Sequence, residues 1–118
     1  MMNQLLIVGR IANDPELKTL ESGKQVANIT LAVPRSFKNA DGVYETDFIN
    51  TSVWESIASN VCDYCKKGDL VGIKGRLQTD TYEKDGKNIT KLNVIAEKVT
   101  FLSSREQSSK ENKEVEGR

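Results

Sequence analysis

The sequence predicts an all-β domain, a small barrel of five strands carrying one short helix. Three observations point there. Most of the first hundred residues alternate between apolar and polar with the period of a strand. One stretch alone, Ile57, Ala58, Val61, Cys62 and Cys65, recurs at helical spacing. That stretch lies between two strand patterns, Thr46 to Trp54 and Asp69 to Gln78, where a single helix can plug the gap of a small barrel.

The first strand is Leu5 to Ala12, with Leu5, Ile7 and Ile11 on one face and Leu6, Val8 and Arg10 on the other. Gly9 interrupts it, as at a bulge or a barrel bend. Asn13-Asp14-Pro15-Glu16 and Glu21-Ser22-Gly23-Lys24 are turns, with a short extended segment between Leu17 and Leu20. The second strand, Gln25 to Ser36, turns Ala27, Ile29, Leu31 and Val33 inward and Val26, Asn28, Thr30 and Ala32 outward. A bend at Pro34 releases Arg35 and Phe37 from the core. Asp41-Gly42 turns the chain into the third strand, Val43 to Trp54.

The helix takes Ser56 as its expected N-cap and closes at Lys66-Lys67-Gly68, a basic end followed by glycine. The fourth strand, Asp69 to Thr79, faces Val71, Ile73 and Leu77 inward and continues past a bend to Tyr82 and Lys84. Asp85-Gly86 is a turn. The last strand, Asn88 to Ala96, faces Leu92, Val94 and Ala96 inward and extends to Leu102. Five strands with one such helix fit the oligonucleotide-binding (OB) fold, a partly open barrel that takes oligonucleotides or oligosaccharides. The division expected is a barrel domain over 1–102 and a polar, disordered tail over 103–118, in which Val115 is the one apolar residue.

Lys plus Arg is 17 and Asp plus Glu is 17, so net charge is zero and composition alone gives no nucleic-acid signal. No apolar run approaches the ~20 residues of a membrane span. The start lacks a basic segment before its first apolar residues, so no signal peptide and no membrane role is expected, and the reading is cytoplasmic. The chain has no His, no nucleophile elbow and no glycine-rich phosphate loop, so it does not read as an enzyme and implies no cofactor. Cys62 and Cys65 lack the second ligand pair a structural zinc needs, and they fall at the end of the helix rather than its start. No metal site is expected; both read as small residues partly facing the core.

What remains is aromatic and basic. Phe48 and Trp54 share a strand face with Asn50 and Ser52, not with Ile49 and Val53. Rings on a polar strand face are platforms for stacking bases. Phe37, Phe48, Trp54 and Tyr82 are the candidate stacking residues. Arg10, Arg35, Lys38, Lys74, Arg76 and Lys84 are the candidate phosphate contacts, with Lys87 near them. Each ring taken singly also fits core packing or a subunit contact.

Leu6-Ile7-Val8-Gly9-Arg10, Asp14-Pro15-Glu16-Leu17, Asp47-Phe48-Ile49-Asn50, Lys66-Lys67-Gly68 and Gly75-Arg76-Leu77-Gln78-Thr79 occur in this order and spacing. This set resembles the single-stranded DNA-binding (SSB) proteins of bacteria and phages, over roughly Met2 to Leu102. The resemblance implies an OB barrel, a homo-oligomer that is usually a tetramer, and binding of single strands with little sequence preference. It implies a nucleoid-associated role in coating and protecting DNA during replication, recombination and repair. The family's stacking aromatics match Phe37, Phe48, Trp54 and Tyr82 by motif position.

Asp80, Glu55 and Pro34 depart from the residues common in the family, and the two carboxylates lower the local positive potential. The family usually ends in an acidic tip that docks partner proteins. This sequence ends Glu114-Val115-Glu116-Gly117-Arg118, so replication and repair proteins are expected only as partners without such a tip. The competing reading is an OB module for protein interaction in replication restart, its aromatics serving an oligomer interface. An oligosaccharide-binding OB domain would call for a signal peptide and disulfides.

Overall fold

The computed structural model describes residues 1–104. In chain order it contains β1 (Leu5–Ile11), β2 (Lys18–Thr19), β3 (Gln25–Lys38), β4 (Tyr44–Trp54), α1 (Glu55–Tyr64), β5 (Leu70–Lys84) and β6 (Lys87–Ser103). Five strands run in the order β1-β5-β6-β4-β3, and β1 also pairs with β3, which closes the barrel. With its one short helix this is the OB fold expected from the sequence. The tail beyond 104 lies outside the described residues.

The closure depends on β1 serving two neighbours. Leu5 to Arg10 pair with β5, and Arg10 and Ile11 pair with β3. The backbones come close where β1 changes partner. A Cβ at Gly9 would stand 2.8 Å from the Ala32 carbonyl oxygen, so space selects glycine there.

The core is Ile11, Ala27, Ile29, Leu31, Val53, Val71, Ile73 and Ala96 from the strands with Ala58, Val61 and Cys65 from the helix end of the barrel. Cys62 packs against this cluster. Burial pushes both thiols above the ordinary cysteine range, so neither is an activated thiolate.

Four local expectations differ. Trp54, not Ser56, is the N-cap; its backbone is extended and no side chain caps the helix. The helix ends at Tyr64 with no basic residue in its last turn, and Cys65 closes it by donating its N–H to the Val61 carbonyl. Lys66 and Lys67 lie beyond, where their backbone N–H groups donate to the Asp69 and Asp14 carboxylates at 2.8 and 3.0 Å. Val26, expected outward, is buried, flanked on its face by its cross-strand partners Trp54 and Lys18. Leu77 and Leu92, expected inward, are 41% and 62% exposed.

The last difference has a topological reason. β5 and β6 stay paired from Leu70 and Ser103 out to Lys84 and Lys87, well past the last buried residues of the barrel. Asp85 and Gly86 join them with φ of 52° and 77°, the two positive values a mirror-image two-residue turn demands. Leu92 sits on this projecting ribbon, and Leu77 stands at its base, opposite the buried Val94. Nearer the barrel, Lys74 pairs with Lys98 and Gly75 with Ala96, leaving Glu97 as an extra residue on β6. The bulge reverses the alternation, so Val99 joins Val94 and Ala96 in facing the interior.

Candidate nucleic-acid interface

A second ribbon, β3 and β4, carries most of the candidate site. Its outer face is set by register: Val26 opposes Trp54, Asn28 Ser52, Thr30 Asn50, Ala32 Phe48 and Pro34 Thr46. This face is polar and internally bonded. Thr30 donates its hydroxyl to Asn50 Oδ1 at 3.1 Å, and Ser52 donates to Asn28 Oδ1 at 3.2 Å. Phe48 stands on it 66% exposed, beside the small Ala32. Nothing in the packing of the barrel calls for a large ring there. Trp54 lies half-buried at the helix end of the same face, about 20 Å along the strand at ~3.3 Å per residue.

The register slips between Pro34 and Lys38, and the pairing resumes with Lys38 opposite Tyr44. This irregularity is the bend expected at Pro34. It leaves Phe37 64% exposed. Tyr82 sits on the other projecting ribbon, paired with Ile89 and 47% exposed. The structure therefore puts Phe48 and Trp54 on one strand face, Phe37 on the adjoining strand, and Tyr82 on a separate arm.

The basic candidates are dispersed, and two already hold protein acceptors. Arg10 donates from Nη1 to the Gly68 carbonyl at 2.9 Å. Arg35 donates from Nε and Nη2 to Asp47 and from Nη1 to Glu45 at 2.7 Å. The hydrogen bond to Arg35 holds the Asp47 carboxyl below the usual range, and Asp47 in turn holds the guanidinium more firmly protonated. Lys38 places its ammonium 5.6 Å from the centre of the Tyr44 ring. Lys74 is exposed on β5 opposite Leu6, Arg76 is half-buried opposite Ile95, and Lys84 is exposed at the tip of its ribbon.

The two acidic departures are also engaged. Asp80 accepts from Gln78 at 3.1 Å and from Asn93 at 2.5 Å. Glu55 accepts the Gln25 backbone N–H at 3.2 Å. Three residues of this region were missed by sequence reasoning: Tyr44, Glu45 and Asp47. Tyr44 was within reach, because it continues the even spacing of Phe48 and Trp54. The carboxylates were not, because only the register of β3 against β4 brings Arg35 to them.

A closed OB barrel that displays exposed rings on a bonded polar strand face belongs to the class of single-strand nucleic-acid binders. The model of the single-strand binding protein family matches residues 2–102. The chain is 45% identical over 106 residues to single-stranded DNA-binding protein B of Bacillus subtilis, covering 89% of this chain and 94% of that one. It is 49% identical over 106 residues to a single-stranded DNA-binding protein of Bacillus cereus, covering 89% of this chain and 62% of the other. Single-stranded DNA-binding protein 2 of Listeria monocytogenes is 45% identical over 118 residues, 99% of this chain and 70% of that one. The chain belongs to the single-strand binding protein family.

Proposed function

We propose that this protein binds single-stranded DNA with little sequence preference and coats exposed strands during replication, recombination and repair. The observation that carries this reading is Phe48, exposed on a polar strand face in line with Trp54. Every base has a flat face, so stacking on such rings holds a strand without reading its sequence. Phe37, Phe48, Trp54 and Tyr82 stack bases. Lys38, Lys74, Arg76 and Lys84 contact phosphates; Arg10 and Arg35 do so by exchanging an existing protein partner. The protein acts by binding alone, without a chemical step, cofactor or metal.

The binding unit is residues 1–102, and residues 103–118 are dispensable for DNA affinity. We further propose a homo-oligomer, most simply a tetramer. Leu6 and Val8 are 81% and 56% exposed, and Leu102 is half exposed beside Val8 across Gly72. A contiguous apolar face of this kind marks an interface. Among the described residues no helix is long and apolar enough to cross a membrane, and the setting proposed is the nucleoid in the cytoplasm.

Trp54 is the only tryptophan, so its emission reports one ring. Poly-dT should quench it strongly, and duplex DNA of equal length should not. Unchanged emission with single strands, together with normal binding by Trp54→Ala, would defeat the reading.

A further inference from the structure

We propose that Tyr44, with Lys38 against its ring, is an additional base-stacking position that extends the DNA track to the far end of the β3–β4 ribbon. This deepens the single-strand reading and rests on it. Tyr44 has the same strand parity as Phe48 and Trp54, so its ring rises from the same outer face. It is 55% exposed and is not a member of the core cluster among the described residues. At ~3.3 Å per residue it lies about 13 Å beyond Phe48, on the side away from Trp54. The three rings thus line one face of one strand.

The Lys38 ammonium at 5.6 Å from the ring centre is held by the electron-rich face. This contact costs the site nothing as a platform, because a ring has two faces. A base stacks on the open face while the ammonium stays within reach of the adjoining phosphate. Tyr and Lys across a strand pair supply both halves of single-strand recognition, a flat surface and a cation. The Asn39 side chain stiffens the tip on which they stand, accepting the Asp41 and Val43 backbone N–H groups at 2.9 and 3.0 Å.

The test is Trp54 fluorescence titration of the full chain with oligo-dT of two lengths, about 6 and about 16 nucleotides, bracketing the range one OB fold covers. The short strand spans the Trp54 end of the track; the long one reaches the tip. Tyr44→Ala should weaken the long strand about tenfold and leave the short one within about twofold. Tyr44→Phe should bind like the parent, and Tyr44→Leu like Tyr44→Ala, because leucine keeps apolar bulk without a flat face. Lys38→Gln should flatten the salt dependence for the long strand only. Equal affinity of Tyr44→Ala and parent for the long strand overturns the proposal, as does Tyr44→Leu binding like Tyr44→Phe. If the parent shows no quench with either length, the single-strand reading itself falls and this extension with it.

Discussion

Arg35 and Asp47 face each other across the β3–β4 ribbon, with the guanidinium Nε and Nη2 donating to one carboxylate at 3.0 to 3.3 Å while Nη1 takes Glu45. The pairs are solvent-exposed, with about half of each carboxylate side chain accessible. Water and salt screen such pairs, so they do little for stability. Their consequence is for binding. A phosphate approaching Arg35 meets a cation whose donors are already directed at two anions.

Removing that competition should strengthen DNA binding. Asp47→Asn combined with Glu45→Gln should raise affinity for poly-dT several-fold and steepen the salt slope by about one phosphate contact. Asp47 is depressed below its ordinary value by Arg35, so the pair is fully formed above that value and is lost only as pH falls through the lower folded one. The gain should therefore be flat across neutral pH. Fluorescence titration at several salt concentrations measures it; weaker binding by the double variant would show that the carboxylates aim Arg35 rather than restrain it.

Thr51 is buried in the barrel at 1% exposure, and its hydroxyl has no hydrogen-bond partner among the described residues. A buried hydroxyl without a partner carries a desolvation cost of about 1–3 kcal/mol. Thr51→Val keeps the branched shape and removes the polar atom. It should raise stability by roughly 1 kcal/mol, read as a higher Tm or denaturation midpoint. A drop would mean that water reaches the hydroxyl.

Gly9 stands where β1 changes partner, with backbone and the Val33 side chain within 2.9 Å of any added Cβ. Gly9→Ala should destabilise the barrel by about 1–3 kcal/mol, as overpacking does when the obstructing atoms are backbone. Gly23→Ala is a useful contrast, since its φ of 89° strains any side chain although its surroundings are open. Gly9→Ala with an unchanged melting curve would mean that β1 and β3 separate freely.

Leu6→Glu with Val8→Glu places charge on the exposed apolar face of β1 without touching the interior. The doubly substituted protein should stay folded by circular dichroism and sediment as a smaller species than the parent. An identical oligomer would place the interface elsewhere.

The strand pattern was legible because burial on one side of a sheet imposes a period of two. Ala27, Ile29, Leu31 and Val53 needed no partner to be recognised. The rings on the polar face were legible for the same reason: Phe48 breaks the local rule that an outward residue is polar. Leu77 and Leu92 show the limit. Alternation says which face a residue takes, and it says nothing of where along the strand the opposing wall of the barrel stops. Val26 shows the converse, an outward residue buried by neighbours that lie next to it only in the sheet.

By itself the sequence determined the all-β class, the five strands and single helix, the two hairpin turns, most of the core and the placing of Phe48 and Trp54 on the polar face of their strand. All of these depend on local period or on turn chemistry carried within a few residues. Only the tertiary structure decided that Arg35 is held by Asp47 and Glu45, that Lys38 lies against the ring of Tyr44, and that Glu97 bulges so that Val99 turns inward. Each of these depends on the register between strands. Register is fixed by the sum of cross-strand contacts over the whole sheet, and no single segment of the chain contains it.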